Sequence, residues 1–182
     1  MLKKRVLSIV LIIITTFGII SAQNNSKEEK GSFKDRLIFG GNLGLQFGSN
    51  TFIDLSPFVG YKITEKLIGG VGISYRYMRY KDYDFSTDIY GGRLFGRYYL
   101  MDNLFAHVEY ELLNLERIYF DYNYNVVKAG RVNVESYLAG GGYSQPLGSK
   151  SYFTIIILWN FNETALTPYT NPIIRAGIDI GF

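Results

Sequence analysis

The sequence predicts an all-β protein: an eight-stranded antiparallel up-and-down transmembrane β-barrel, preceded by a cleaved signal peptide. Three observations indicate this fold class. The first 22 residues resemble an export signal, the remainder alternates apolar and polar residues with period two, and the connections between the alternating runs are mostly short and long in turn. The chain thus divides into a signal peptide (1–22), a polar N-terminal tether (23–35) and a β-barrel domain (36–182).

Composition limits the classes of protein to which the chain can belong. It has 182 residues, 47% of them hydrophobic and 16% aromatic, and no cysteine. A domain of this size does not need disulfides or a structural metal for stability. The lack of cysteine excludes disulfides, thiolate metal sites and a cysteine nucleophile. The net charge of +3 comes from Lys3, Lys4 and Arg5, since without them sixteen basic residues face sixteen acidic ones. The rest of the chain is neutral overall and therefore lacks the excess of positive charge that indicates nucleic-acid binding.

Residues 1–22 have the layout of a secretory signal peptide. A basic stretch (3–5) precedes an apolar run (6–20) and two small residues (21–22). We expect cleavage after the last of these. The alternative is an uncleaved membrane anchor, for which the apolar run is short. The residues that follow, up to 35, are polar and aperiodic, as expected of a tether.

Eight runs in the remaining chain have the strand pattern, and each is near the 9–11 residues with which a tilted strand crosses a bilayer. The runs are 36–48, 51–63, 67–79, 88–100, 104–115, 131–144, 151–161 and 172–182. The connections are short at 63–66, 101–103 and 145–150, longer at 80–87, 116–130 and 162–171, and short again at 48–50. Short turns at one end and long loops at the other are typical of outer-membrane barrels.

The two faces of the predicted strands differ in chemistry. In the last strand, one face carries Ile174, Ala176, Ile178, Ile180 and Phe182, and the other carries Arg175, Gly177, Asp179 and Gly181. Small residues beside charges suit a narrow lumen, because an eight-stranded barrel is filled by its own side chains. The apolar face is then expected to contact lipid. A soluble, exported lipocalin-like barrel, which binds a small ligand on an inward apolar face, remains an alternative.

Aromatic residues cluster at the strand ends on the apolar face and predict two girdles at the membrane boundaries. The outer girdle is Phe47, Tyr75, Tyr77, Trp159 and Phe161, and the inner one is Tyr61, Tyr98 and Phe182. The alternative is that aromatic residues merely favour strands.

The inward face predicts an ionic network in the lumen. A turn centred on Asp102 sets Arg97 opposite His107 and Arg93 opposite Glu111. A balanced set of charges suits a closed lumen, because an unpaired buried charge is costly. The network comprises Arg76, Arg93, Arg97, His107, Glu109, Glu111, Glu135, Arg175 and Asp179, with Asp54 and Lys62 also expected to face inward. It can act as a filler that fixes the register or as a gate on a narrow ion path.

Catalysis is not expected. The chain has one histidine, His107, with no evident serine partner, and its carboxylates have no metal-ligand spacing. No phosphate-binding loop is present. The sequence therefore predicts no catalytic residue, no metal site and no cofactor.

The final strand carries a targeting pattern. Arg175, Gly177, Ile180 and Phe182 resemble the C-terminal signal read by the outer-membrane assembly machinery. Together with the signal peptide and eight strands, this pattern resembles the small Gram-negative outer-membrane β-barrels, the OmpA transmembrane domain and OmpX type. The resemblance implies an integral outer-membrane location and contact with lipid and lipopolysaccharide. It also implies an interior salt-bridge network similar to that of OmpA.

The long loop after the fifth strand predicts a surface role. Tyr119, Phe120, Tyr122 and Tyr124 lie within 118–130 among several asparagines, a composition that suits adaptable binding. Strands that protrude beyond the membrane would explain the tyrosines equally well. We expect a filled barrel with a structural or surface-interaction role. A narrow channel for ions or small solutes is the first alternative, and the lipocalin-like binder is the second.

Overall fold

The prediction of eight strands is confirmed. The computed structural model describes residues 33–46, 50–80, 85–120, 126–169 and 171–181. Outside these ranges lie the predicted signal peptide, the tether up to residue 32, Phe47, Tyr122, Tyr124 and Phe182. The strands are β1 (Leu37–Gln46), β2 (Asn50–Lys62), β3 (Leu67–Tyr80), β4 (Phe85–Tyr99), β5 (Leu104–Phe120), β6 (Val126–Pro146), β7 (Ser151–Asn160) and β8 (Ile173–Gly181).

The strands form one closed antiparallel barrel in chain order. Every strand pairs with its sequence neighbours, and β1 pairs with β8 to close the circle. The β1–β8 ladder is short: it runs from Ile38 opposite Gly181 to Asn42 opposite Gly177. β1 pairs with β2 along its whole length.

Three four-residue turns mark one end of the barrel, the turn end. They occupy 63–66, 100–103 and 147–150. In the first, the N–H of Ile63 donates to the carbonyl of Leu67 at 2.9 Å, and Thr64 Oγ1 accepts from the N–H of Leu67 at 3.0 Å. A side-chain acceptor of this kind favours a tight turn. The opposite end, where β3 meets β4 and β5 meets β6, is the loop end.

Two of the long loops predicted at the loop end, 80–87 and 116–130, are shorter than predicted. β3 continues to Tyr80 and β4 already begins at Phe85, while β5 and β6 extend to Phe120 and from Val126. The β5–β6 ladder continues past an irregularity between Glu116 and Ile118. Tyr119 and Phe120 therefore belong to a strand and not to a loop. The predicted 162–171 connection remains long.

The barrel wall separates apolar and polar residues by face. In β5, Val108 and Leu112 point outward and are 59% and 37% exposed, while Glu109 and Glu111 point inward and are 5% and 0% exposed. The interior also holds apolar clusters at both ends. Ile38, Phe58, Ile68 and Phe95 pack near the turn end, and Ile89, Leu113, Leu115 and Val134 pack near the loop end.

A single 3-10 turn, Phe33–Arg36, precedes the barrel at the end of the predicted tether. Phe33 stacks on Tyr61 of β2 with ring centroids 5.2 Å apart. Within the described ranges, no helix is long and apolar enough to cross a membrane.

Candidate functional site: the ionic network of the lumen

The β4–β5 hairpin supplies the middle of the network. Arg97 lies opposite His107 and Arg93 lies opposite Glu111, which is the register that the turn at Asp102 predicts. Because side chains alternate across a strand, His107, Glu109 and Glu111 share the lumen face of β5. Their ion pairs, however, reach across the lumen to other strands.

Nearest the turn end, Arg97 pairs with Asp179 across the barrel. Arg97 Nη1 lies 2.5 Å from Asp179 Oδ2, and Thr154 Oγ1 donates to the same oxygen at 3.1 Å. The guanidinium also sits over the Phe105 ring, 4.4 Å from its centroid. Both charged side chains are almost fully buried, so this pair links β4 to β8 in a region with little water to compete.

Glu109 is the next carboxylate toward the loop end and is shared by three partners. Arg175 Nη1 donates to its Oε1 at 2.6 Å, Arg93 Nη1 lies 3.6 Å from its Oε2, and His107 Nε2 lies 3.2 Å from Oε2. Arg93 also donates to the Ser56 carbonyl at 2.9 Å. The network thereby joins β2, β4, β5 and β8.

Glu111 completes the network toward the loop end and is fully buried. Ser74 Oγ donates to Oε1 at 3.0 Å, and Arg76 Nη2 lies 3.5 Å from the same atom. Arg175 Nη2 lies 3.6 Å from Oε2. Arg76 Nε additionally pairs with Asp54 at 2.9 Å. A buried carboxylate with this many donors is well compensated.

Tyr169 is a member of the network that sequence analysis did not identify. It belongs to the connection between β7 and β8, which turns into the lumen. Its hydroxyl donates to Glu111, lies 3.2 Å from Ser136 Oγ, and its ring faces Arg76 at 5.0 Å. Burial, reinforced by the Glu111 charge, raises the pKa of Tyr169 well above the usual value, so the phenol remains a donor. Pro168 and Pro172 mark a constrained connection, but they do not place Tyr169 in the lumen.

Glu135 was assigned to the lumen, and this is wrong. It is exposed on the outer face of β6, where Tyr137 Oη lies 3.4 Å from its Oε2, while Ser136 faces inward. Glu135 pairs with Leu112, four residues beyond Ala139, the partner of Trp159. Toward the loop end the wall is polar outside and apolar inside, which is the reverse of its arrangement in the middle of the barrel.

The other residues predicted for the lumen network lie inside the barrel. Arg76, Arg93, Arg97, His107, Glu109, Glu111 and Asp179 are each 5% exposed or less, and the Arg175 side chain is 9% exposed. Asp54 lines the lumen at 21% side-chain exposure. Lys62 lines a cavity of about 430 Å³ at the turn end together with Arg97 and Asp179.

The proposed girdle residues that the structure describes lie on the outer face. Tyr75, Trp159 and Phe161 are 37%, 53% and 72% exposed near the loop end, with Tyr77 half-buried. Tyr98 is 48% exposed near the turn end, and Tyr61 is half-buried under Phe33. Of the targeting pattern, Arg175 points inward, Gly177 lies against β1, and Ile180 points outward.

The imidazole of His107 is enclosed. Its ring stacks on Phe95 at 5.4 Å, and its Nε2 faces Glu109. The lumen hydroxyls of Ser74 and Thr154 donate to carboxylates instead. In the part of the chain that the structure describes, no group of three or more histidine and acidic side chains could hold a metal ion. The geometry is that of a set of ion pairs spanning the lumen.

The solved structures that match the chain include two β-barrels. The N-terminal β-barrel domain of Pseudomonas aeruginosa OprF matches with a TM-score of 0.46 and 10% identity, covering 82% of this chain and 97% of that one. A structure from the de novo design of transmembrane β-barrels matches with a TM-score of 0.39 and 14% identity, covering 86% of this chain and 100% of that one. No family model matches the chain, nor does any curated protein. The barrel assignment therefore rests on the strand pairing itself.

Proposed function

We propose that the protein is an integral outer-membrane β-barrel with a filled, non-catalytic lumen that presents its β5–β6 hairpin for surface interaction. The observation that carries this proposal is the polarity of the wall. Leu94, Ile73 and Ile157 are 57%, 63% and 54% exposed on the outside, while four arginines and four carboxylates are enclosed. Such a surface is unfavourable in water and favourable in lipid.

The same polarity argues against the soluble lipocalin-like alternative, which needs an apolar pocket and a polar exterior. Strands of 9 to 21 residues are long enough to cross the hydrocarbon core. Lipid and lipopolysaccharide would surround the apolar belt. The assembly machinery would recognise the last strand through Arg175, Gly177, Ile180 and Phe182 before the barrel closes.

The proposed surface element is the end of the β5–β6 hairpin. The last β4–β5 pair is Tyr90 with Asn114, but β5 continues, paired with β6, to Phe120. Six further residues project about 20 Å at the usual rise per residue. Tyr119 is 54% exposed on this projection. Tyr119, Phe120, Tyr122 and Tyr124 would contact a partner there.

The base of this hairpin is clamped, which favours rigid presentation. Arg131 Nη2 donates to the carbonyls of Asp88 at 2.9 Å and Asn114 at 2.8 Å, and Arg131 Nε donates to Asn114 Oδ1. The guanidinium also lies over the Tyr90 ring at 4.5 Å. A surface held in its bound conformation loses less entropy on association.

Membrane integration is tested by fractionation of a Gram-negative host that expresses the full chain. We expect the protein in the outer membrane, resistant to carbonate and salt washing, with a gel migration that changes on heating. Complete release by carbonate would contradict the proposal.

The surface role is tested by pull-down from intact cells with two variants. One replaces residues 118–128 by an Asn-Gly turn, and the other keeps the hairpin length but changes Tyr119, Phe120, Tyr122 and Tyr124 to Ser. We expect both to keep heat-modifiable migration and to lose the same partners. Partners retained by both variants would exclude the hairpin as the contact.

A narrow channel is the second candidate, because a cavity of about 430 Å³ lies on each side of the Arg93–Glu109 level. The two cavities share no lining residue, and the buried Arg93, Glu109 and Phe95 line neither of them. Planar-bilayer recording distinguishes a filled lumen from a channel. A filled lumen predicts no single-channel conductance from the intact protein, and stable steps in the current would favour the channel.

A further inference from the structure

The β1–β8 seam is closed over only part of its length. The ladder ends where Asn42 meets Gly177, although β1 continues to Gln46 and β8 begins at Ile173. Within the described ranges, the backbone of 43–46 has no ladder partner in β8, and that of 173–176 has none in β1. In a membrane such edges are unfavourable, because hydrocarbon offers them no hydrogen bonds.

A cavity of about 430 Å³ is lined by residues from both edges of this opening. Leu43 and Ile174 line it although they point outward, at 61% and 67% exposure. Arg76, Arg175 and Tyr169 line it from the lumen. The cavity therefore lies where the wall has no β1–β8 ladder.

The opening lies at the depth of the apolar belt. Ile174 pairs with Ile157 and Ala176 with Ile155, both of which are exposed on the outer face. Trp159 of the outer girdle lies two residues farther toward the loop end than Ile157. The opening thus faces the outer half of the hydrocarbon region, about 5–7 Å below the girdle at the usual rise per residue.

Two guanidinium groups, those of Arg76 and Arg175, line the inner end of the cavity. Among the described residues, Arg76 Nη1 is buried without a hydrogen-bond partner, on a side chain that is 6% exposed. Arg175 Nη2, on a side chain that is 9% exposed, has the 3.6 Å ion pair with Glu111 Oε2 and no hydrogen bond. Buried donors generally have acceptors, so an acceptor that enters the cavity would satisfy the remaining donor of Arg76. Asp54 also lines the cavity, but Arg76 Nε and Ser56 Oγ hold it at 2.9 and 2.6 Å.

We propose that this cavity binds a long-chain fatty acid from the outer leaflet, with its carboxylate against Arg76 and Arg175 and its chain leaving between Leu43 and Ile174. Guanidinium groups match carboxylates in geometry and charge. Apart from Lys62 at the turn end, the ion-paired charges of the lumen already balance, with Arg76, Arg93, Arg97 and Arg175 against Asp54, Glu109, Glu111 and Asp179. One added negative charge disturbs this balance less than the nearly two charges of a phosphate monoester.

The site rests on the membrane placement proposed above, and the test separates the two. The full chain is reconstituted in phosphatidylcholine vesicles and exposed to palmitic acid that carries a photoreactive diazirine. We expect saturable labelling of peptides from 37–46 and 173–181, displaced by palmitate but not by hexadecanol. Release of the protein by carbonate would reject the membrane placement. Retention with labelling that hexadecanol displaces equally well would reject the fatty-acid site alone.

Matched arginine variants test the headgroup contact. Arg76→Lys keeps the charge but removes the guanidinium fork, and we expect half-saturation of labelling at about tenfold higher probe concentration. Arg93→Lys is the control, because Arg93 is equally buried but does not line the cavity. Equal effects of the two variants would overturn the site.

Cysteine pairs test entry through the seam, since the chain has no cysteine of its own. Leu43→Cys with Ala176→Cys would continue the ladder and lock the opening when oxidised. Phe39→Cys with Ile180→Cys lies in the closed part and is the control. We expect oxidation to abolish labelling only in the first pair and reduction to restore it. Labelling that persists after the disulfide between positions 43 and 176 has formed contradicts entry through the seam. If this disulfide does not form, the comparison of Arg76→Lys with Arg93→Lys tests the site instead.

Discussion

At the scale of single residues, Glu111 is the group on which most of the lumen network depends. It is fully buried and meets Arg76, Arg175, Ser74 and Tyr169. Glu111→Gln keeps the shape of the side chain but leaves two buried guanidinium groups under-compensated. Removing one partner of a buried pair costs about 3–5 kcal/mol. We expect a loss of this size in the free energy of unfolding, measured by urea titration in lipid vesicles.

Glu135→Gln is the control for that measurement, because it makes the same chemical change on the outer face of β6. We expect no measurable loss of stability from it. If both substitutions destabilise the barrel equally, the assignment of the two carboxylates to opposite faces is wrong.

Glycine positions give a second residue-scale prediction. A Cβ added at Gly91 would overlap the carbonyl oxygen of Leu112 on the neighbouring strand, whereas one at Gly96 would lie an ordinary 3.5 Å from Val108. Forcing atoms into a packed wall costs about 1–3 kcal/mol. Gly91→Ala should therefore lower the urea midpoint, and Gly96→Ala should not. The reverse order would show that β4 and β5 are farther apart than described.

At the scale of elements, strand positions and hairpin register were predictable, because period-two alternation and a short turn depend on local sequence. The pairing of Arg97 with His107 follows from the turn at Asp102 alone. Glu135 could not be assigned in this way, since the polarity of the two faces inverts toward the loop end of β6. Tyr169 was missed because its contact with Glu111 joins a connection to a distant strand. Such contacts leave no periodic signal.

The short β1–β8 ladder predicts where the barrel opens first. Local opening costs least where few hydrogen bonds hold an edge. We expect amide hydrogens of 173–176 to exchange faster than those of 177–181 in the same strand, and those of 107–111 in β5 to exchange more slowly than either, as measured by mass spectrometry in vesicles. Uniform protection along β8 would mean that the seam is fully paired in lipid.

At the scale of the whole molecule, the barrel combines three zones along its axis. Near the turn end, aromatic rings fill the lumen around Arg97; in the middle, charges are enclosed by an apolar belt; toward the loop end, Val132 and Val134 face inward and Arg131 and Glu135 face outward. The last zone has the polarity of a protein in water, and Trp159 lies near the boundary between it and the belt. On the proposed membrane placement, the change of polarity gives the outer boundary of the apolar belt independently of the girdle.

This boundary can be measured, because Trp159 is the one tryptophan of the chain and points outward at 53% exposure. In vesicles, lipids brominated near the headgroup should quench its fluorescence more than lipids brominated near the chain end, since Trp settles at the headgroup level. The control is Trp159→Phe with Leu94→Trp, which moves the fluorophore to a lipid-facing position in the middle of β4, 57% exposed. There the order of quenching should reverse. Absence of quenching in both proteins would mean that the apolar wall does not face lipid.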